Sequence, residues 1–252
     1  MDTLLKFYTE ILKSISIISI GIMFITLIVA LNTKKYWSKP IRIIYYYCVI
    51  NLLSALLLRL IYWLVGNFKD FFIPILKRFE ITDMSFMAIL AHLNNFILLG
   101  WYFILVFNSN RVSILVRFLY LFFTITSIIN YLFIEGFNVH SIYNSIASAV
   151  FCFAFSSLHL WYIFNDTDSK VPLLKNPYYW ISLGLLVPNI MNTFMYLVGK
   201  KLEETDSSMF LLSNIFSDIL QILGYIFVAI GFYYARYTKY LPQKTTTSLP
   251  PQ

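Results

Sequence analysis

The sequence predicts an all-α protein: a polytopic transmembrane helical bundle of seven spans, with its N-terminus outside and its C-terminus inside. Three observations predict it. Only 12% of the 252 residues are charged while 59% are hydrophobic, and a water-soluble domain carries about twice that share of charge, so lipid must cover what charge does not. The hydrophobic residues gather into seven runs, each near the ~20 residues that a helix needs to cross a ~30 Å hydrocarbon core. The runs are continuous rather than alternating, which argues against barrel strands and leaves helices to satisfy every backbone N–H and C=O inside lipid.

The first run, 11–31, lacks a short apolar stretch followed by a small-residue cleavage site, so it reads as a retained span rather than a signal peptide. The second, 41–65, follows Pro40, and the sixth, 177–198, starts at Pro177. Proline suits a helix start because its missing N–H would be unsatisfied there in any case. The third run is 87–107, and Asn108-Ser109-Asn110 separates it from the fourth, 112–134. Glu135-Gly136-Phe137-Asn138 then leads to the fifth, 141–164. Asn165 to Asp168 and Pro172 precede the sixth, and Lys201 to Ser208 is a charged connector before the seventh, 210–236.

Residues 67–86, between the second and third runs, carry Lys69, Lys77 and Arg78 among Phe68, Phe71, Phe72, Ile75, Leu76 and Phe79. The segment is too charged to span, and its apolar positions recur at helical spacing despite Pro74. It is expected to lie along the membrane interface; a lid over a pocket is the sharper alternative. The organisation expected is thus one transmembrane domain, 1–236, and a polar, Pro- and Thr-rich disordered cytoplasmic tail, 237–252. No internal repeat is evident.

Orientation follows from Lys and Arg near the span ends. Lys34, Lys35, Lys39, Arg42, Arg111, Arg117, Lys170, Lys175, Arg236, Lys239 and Lys244 belong to one end of the bundle; Lys6, Lys13, Lys69, Lys77, Arg78, Lys200 and Lys201 belong to the other. Eleven against seven places the first set in the cytoplasm. The net charge of +7 therefore reads as topology and contact with the bilayer, not as a nucleic-acid surface.

Charges inside a span are costly and mark candidate sites. Two stand out, Arg59 in span two and Asp218 in span seven, of opposite sign and at similar depth, which predicts a pair. Other polar residues share that depth. Span three has His92 and Asn95, spaced i, i+3 on one face. Span six has Asn189 and Asn192 just after Pro188. Span seven has a stripe of Asn214, Asp218, Gln221 and Tyr225, and a stripe of that period faces one way. Asn130 and Asn144 approach from spans four and five. Together these residues predict a polar pocket open toward the outside. The plainer alternative is that they bond helices to one another, with Arg59 extended outward and Pro188 kinking its helix.

Catalytic templates fit poorly. A zinc site needs three or four ligands, and His92, His140 and His159 make no His-x-x-x-His pair, so zinc hydrolases of the ceramidase type are a weak match. His159 reads as a helix–helix hydrogen bonder. A Ser213–His92–Asp218 triad is a combination that any such bundle offers. No phosphate-binding Gly-rich loop is present, and no lysine stands in span seven to carry retinal. Cys48 and Cys152 lie inside apolar runs and read as packed thiols rather than a redox or metal motif. No cofactor and no metal are expected.

The segment Asn176-Pro177-Tyr178-Tyr179-Trp180-Ile181-Ser182-Leu183-Gly184-Leu185-Leu186 resembles a recurring segment in a family of uncharacterised bacterial polytopic membrane proteins of similar length and span count. That segment reads Asn-Pro-x-Phe-Trp-Ile in the family, and Tyr179 stands here for the Phe. The resemblance implies the same architecture and a bacterial inner membrane, but no mechanism. The family's third span carries a Glu before a Phe; here Asn95 precedes Phe96, so an acid role is not carried over.

The sequence names no activity. Its leading expectation is a sensory or signalling module that binds a small molecule or lipid at Arg59, His92, Asn95, Asn189, Asn192, Asn214, Asp218 and Gln221, read out by a membrane or cytoplasmic protein partner. A lipid-modifying enzyme using His92 and Asp218 is an alternative. So are a small-solute transporter and a structural membrane subunit, in which Gly184 or Gly231 seats a partner helix.

Overall fold

The computed structural model describes residues 2–78, 88–107, 110–136, 141–166 and 171–241. Among the described residues every regular element is helical, and seven stretches are long and apolar enough to cross a membrane. The chain is thus an all-α bundle consistent with a multi-pass integral membrane protein.

The spans are α1 (Asp2–Asn32), α2 (Lys39–Asn67), a third built from α4 (Ala88–Asn94), a π-helical turn (Asn95–Leu99) and α5 (Gly100–Val106), then α6 (Asn110–Ile129) prolonged by a second π-turn (Asn130–Ile134), α7 (Ile142–Phe164), α8 (Pro177–Thr205) and α9 (Ser207–Tyr233). Between spans two and three, α3 (Lys69–Arg78) packs against α2 and leaves Phe71, Ile73 and Ile75 exposed. It supplies the short helix expected there, while residues 79–87 lie outside the described residues.

Local chemistry sets the helix starts. Ser141 caps α7 by accepting from the Asn144 N–H at 3.2 Å, and Asp206 caps α9 by accepting from the Met209 N–H at 3.0 Å. Each side chain satisfies one of the orphan donors of a first turn. The Asn-Pro-Tyr-Tyr-Trp segment launches α8. Asn176 accepts from the Tyr178 N–H at 3.0 Å, Pro177 takes the first helical position, the Tyr178 hydroxyl meets Ser38 Oγ at 2.9 Å, and Trp180 Nε1 donates to the Leu174 carbonyl at 2.8 Å.

Beyond Tyr233 the chain tightens into a 3₁₀ turn, Tyr234–Tyr240, whose Thr238 hydroxyl donates to the Tyr36 carbonyl at 3.2 Å. The disordered tail expected from residue 237 therefore does not begin there: four of its residues complete a helical turn that docks on the connector after α1. Residues 242–252 lie outside the described residues.

The spans form a ring in which α1 packs on α9, α9 on α8, α8 on α7, α7 on the third span, and the third span on α2, which returns to α1; α6 stands outside, mainly against the third span. Half of the α7 span is buried but only 11% of the α6 span. α2 is as little buried as α6, so α7 is the most enclosed of the spans.

Two close approaches hold the helices together. A Cβ on Gly184 would stand 2.6 Å from the Gly224 carbonyl oxygen, and one on Gly224 2.7 Å from the Gly184 oxygen. One on Gly231 would meet Ile181 Cγ1 at 2.7 Å. The small residues therefore seat α8 on α9 within this chain, rather than a helix from a partner. The second approach is Gly100 against Tyr120, 2.6 Å to its Cβ, which holds α6 to the third span.

Candidate functional site

Pro188 and the first π-turn shape the middle of the bundle. Proline lacks an N–H, so the Gly184 carbonyl loses its helical donor; that carbonyl is the group packed on the bare backbone of Gly224. One residue on, the Asn189 amide donates to the Leu185 carbonyl at 2.7 Å. Across the bundle, Asn94 precedes and Asn95 opens the π-turn, a form enriched at functional sites, and the two serve different neighbours. Asn94 Nδ2 donates to Asn51 Oδ1 at 2.7 Å and to the Tyr47 carbonyl at 3.3 Å, both on α2. Asn95 Nδ2 donates to Ser148 Oγ on α7 at 2.7 Å.

Between these features lies a cavity of about 70 Å³, which exceeds the space a single water requires. Its polar lining comes from Tyr47 on α2, Asn95 on the third span, Asn189 and Asn192 on α8, and Gln221 and Tyr225 on α9; Cys48, Leu185, Pro188, Val228 and both glycines of the α8–α9 crossing complete it. No charged residue lines it. Asn192 Oδ1 accepts from Ser217 Oγ at 2.9 Å, the Gln221 amide lies 3.5 Å from the Tyr225 hydroxyl, and the Tyr225 carbonyl accepts from Thr26 on α1 at 3.1 Å. Amide groups from three different spans thus converge on one uncharged chamber.

Of the eight residues expected at the site, Asn95, Asn189, Asn192 and Gln221 line this cavity, and Arg59, His92, Asn214 and Asp218 do not. Asn214 and Asp218 are half-buried on α9. The expected Arg59–Asp218 pair gives way to a different contact: the Arg59 guanidinium donates to Ser16 Oγ on α1 at 2.7 Å. The reason is the ring order. Depth along a helix can be read from position, but α1 packs against both α2 and α9 and so intercepts the arginine.

His92 is buried, with Nε2 3.3 Å from Ser145 Oγ and its ring nearly parallel to Tyr131, centroids 6.5 Å apart. His92 and Asn95 share a face as expected: they meet Ser145 and Ser148, again three residues apart, so two parallel helices are joined in register. The serine against His92 is Ser145 rather than Ser213. Its hydroxyl donates to the Ser141 carbonyl at 2.7 Å, a shorter contact than that to the imidazole, and a hydroxyl has one proton to give.

Asn130 and Asn144 do approach one another through Ser141. Asn130 Nδ2 donates to Ser141 Oγ at 2.9 Å and to Glu135 Oε2 at 2.7 Å, while the Asn144 backbone reaches the same hydroxyl. These bonds close the α6–α7 connection at the bundle's end, away from the cavity lining. His159 joins helices as expected, Nδ1 lying 2.7 Å from Ser182 Oγ on α8; His140 is outside the described residues. Cys48 and Cys152 are free and buried. Among the described residues no cluster of three His, Cys, Asp or Glu side chains is placed to hold a metal ion.

Sequence reasoning missed Tyr47 and Asn51. Asn51 carried a usable signal, an amide in the middle of an apolar run; Tyr47 carried none, being one of 19 tyrosines.

No known family model, no curated protein and no solved structure matches the chain.

Proposed function

We propose that this protein is a membrane-embedded sensory module that binds a small, uncharged, hydrogen-bonding molecule, or the polar end of a larger one, in the cavity between α2, the third span, α8 and α9. The observation that carries this reading is the convergence of Asn95, Asn189, Asn192 and Gln221 on one chamber without a charge in its lining. Amides offer both donors and acceptors, which suits neutral carbonyl, hydroxyl or amide groups. An ion would find no countercharge there.

The same walls supply a response. α8 lacks a helical hydrogen bond at Pro188, and α9 rests on it through two glycines, so a ligand bridging Asn95 to Asn189 or Gln221 favours one relative position of α8 and α9 over another. A ligand shifts such an equilibrium by its differential affinity for the two positions. Movement of α9 is carried to the 3₁₀ turn Tyr234–Tyr240 and the connector it docks on.

Native mass spectrometry of the protein released gently from its membrane tests this reading. A small-molecule adduct is expected on the wild type and not on Asn189→Leu or Gln221→Leu, with Arg59→Gln retaining it. An adduct of equal abundance in all four proteins would refute the assignment of the cavity.

A further inference from the structure

The basic end of the bundle holds a preformed cationic surface that the cavity does not involve. Three chain segments build it: the connector after α1, the short turn before α8, and the 3₁₀ turn after α9. The Thr238–Tyr36 hydrogen bond ties the first to the third. Tyr237 ties the third to the second, because Lys175 Nζ stands 5.8 Å from its ring centre and the Arg236 guanidinium 5.2 Å from it.

The cations here rest on rings. Arg236 also lies 5.3 Å from the Tyr233 centroid, Lys239 4.7 Å from Tyr240 and Lys35 4.9 Å from Tyr36. A ring under the face of a guanidinium steadies it and leaves its N–H edge for an oxyanion, the geometry in which Arg binds phosphate. Lys34, Lys35, Lys175, Arg236 and Lys239 are all exposed.

Charge separates the two ends more sharply than the basic residues alone indicate. By sequence, this end of the bundle takes eleven Lys and Arg but only two carboxylates, Asp166 and Asp168. The opposite end carries seven Lys and Arg against nine carboxylates.

We infer that this surface binds the phosphodiester headgroups of anionic membrane lipids in the leaflet it faces. The cations stand where the spans leave the hydrocarbon, which is headgroup depth, and they are interleaved with tyrosines, which favour that depth. Clustered basic residues immediately beside membrane helices attract anionic lipid, each adding about fivefold in affinity.

The full-length protein is reconstituted in nanodiscs of mixed phosphatidylglycerol and phosphatidylcholine, and retained lipids are counted by native mass spectrometry after mild delipidation. The wild type is expected to keep phosphatidylglycerol in preference. The variant Lys35→Gln/Lys175→Gln/Arg236→Gln is expected to lose that preference by up to ~100-fold, and Arg236→Gln alone by about fivefold. A control at the opposite end, Lys69→Gln/Lys201→Gln, is expected to keep it. Raising the salt concentration should weaken retention on the wild type, since exposed charges are screened; this readout needs no variant and stands even if the triple variant does not fold. Equal retention of both lipids by the wild type, an unchanged preference in the triple variant, loss of preference in the opposite-end control, or indifference to salt would each overturn the inference.

Discussion

The α8–α9 crossing and the junction of the third span with α2 and α7 border the same cavity but are made of different material. At the crossing, contact comes from what is missing: Gly184 and Gly224 have no side chains, so each carbonyl lies against the other backbone. At the junction, contact comes from amides and hydroxyls, Asn94 to Asn51 and Asn95 to Ser148. The difference matters because membrane helices gain no hydrophobic advantage from meeting each other in lipid. Close backbone packing tolerates no added atom, whereas a hydrogen-bonded amide can be exchanged for a ligand. The first kind of contact fixes the bundle, and the second leaves room for function.

The comparison is broken most severely by filling the crossing. Gly184→Ala places a methyl carbon 2.6 Å from a carbonyl oxygen and 3.1 Å from the Val228 backbone nitrogen, neither of which can rotate away. The expected loss is about 3 kcal/mol, the upper range for overpacking, measured by thermal unfolding in detergent. Gly21→Ala, with nothing within 4 Å of the added carbon, is the control and should stay within about 0.5 kcal/mol of wild type. Equal losses at both positions would show that the crossing is not specially tight.

Next in size is Gly100→Ala, whose added carbon meets Tyr120 Cβ at 2.6 Å. A loss of about 2 kcal/mol is expected, with faster proteolysis in the connectors flanking α6. Protection equal to wild type would show that α6 is held by more than this contact.

A smaller effect sharpens the contrast from the amide side. Asn95→Leu is expected to lower stability by about 1 kcal/mol, typical of an interhelical hydrogen bond in a membrane, while abolishing the adduct. A loss as large as that of Gly184→Ala would make Asn95 a structural residue first. The smallest effect expected is the coupling between Arg59 and Asp218: a double-mutant cycle should return near zero, below about 0.5 kcal/mol. A coupling above about 1 kcal/mol would restore the pair that position along the helices predicts.

What was legible in the sequence follows the same division. Seven spans were legible because each is a run of apolar residues near the thickness of a bilayer, a local property. Depth is legible too: Asn95, Asn189, Asn192 and Gln221 match by position along their helices and do share a chamber. Rotation about the axis, and which helix stands next to which, were not. Arg59 and Asp218 matched in depth, yet α1 lies between their helices. Gly184 read as a seat for another protein because nothing in a linear sequence reveals that Gly224 sits opposite it. The π-turn at Asn95 left no signature, since one extra residue in a turn does not alter the apolar count.

The contact between Thr26 and the Tyr225 carbonyl has a consequence for biosynthesis. α1 is made before α9, and 174 positions separate the end of one from the start of the other. At translation rates of about 5–20 residues per second, α1 waits roughly 9 to 35 s in the membrane before this neighbour exists. Meanwhile its Thr26 hydroxyl has the Ile22 carbonyl, at 2.8 Å, to bond with inside its own helix. The ring, and with it the full lining of the cavity, closes only when α9 arrives, so a chain released before it contributes neither Gln221 nor Tyr225 and has no chamber to present.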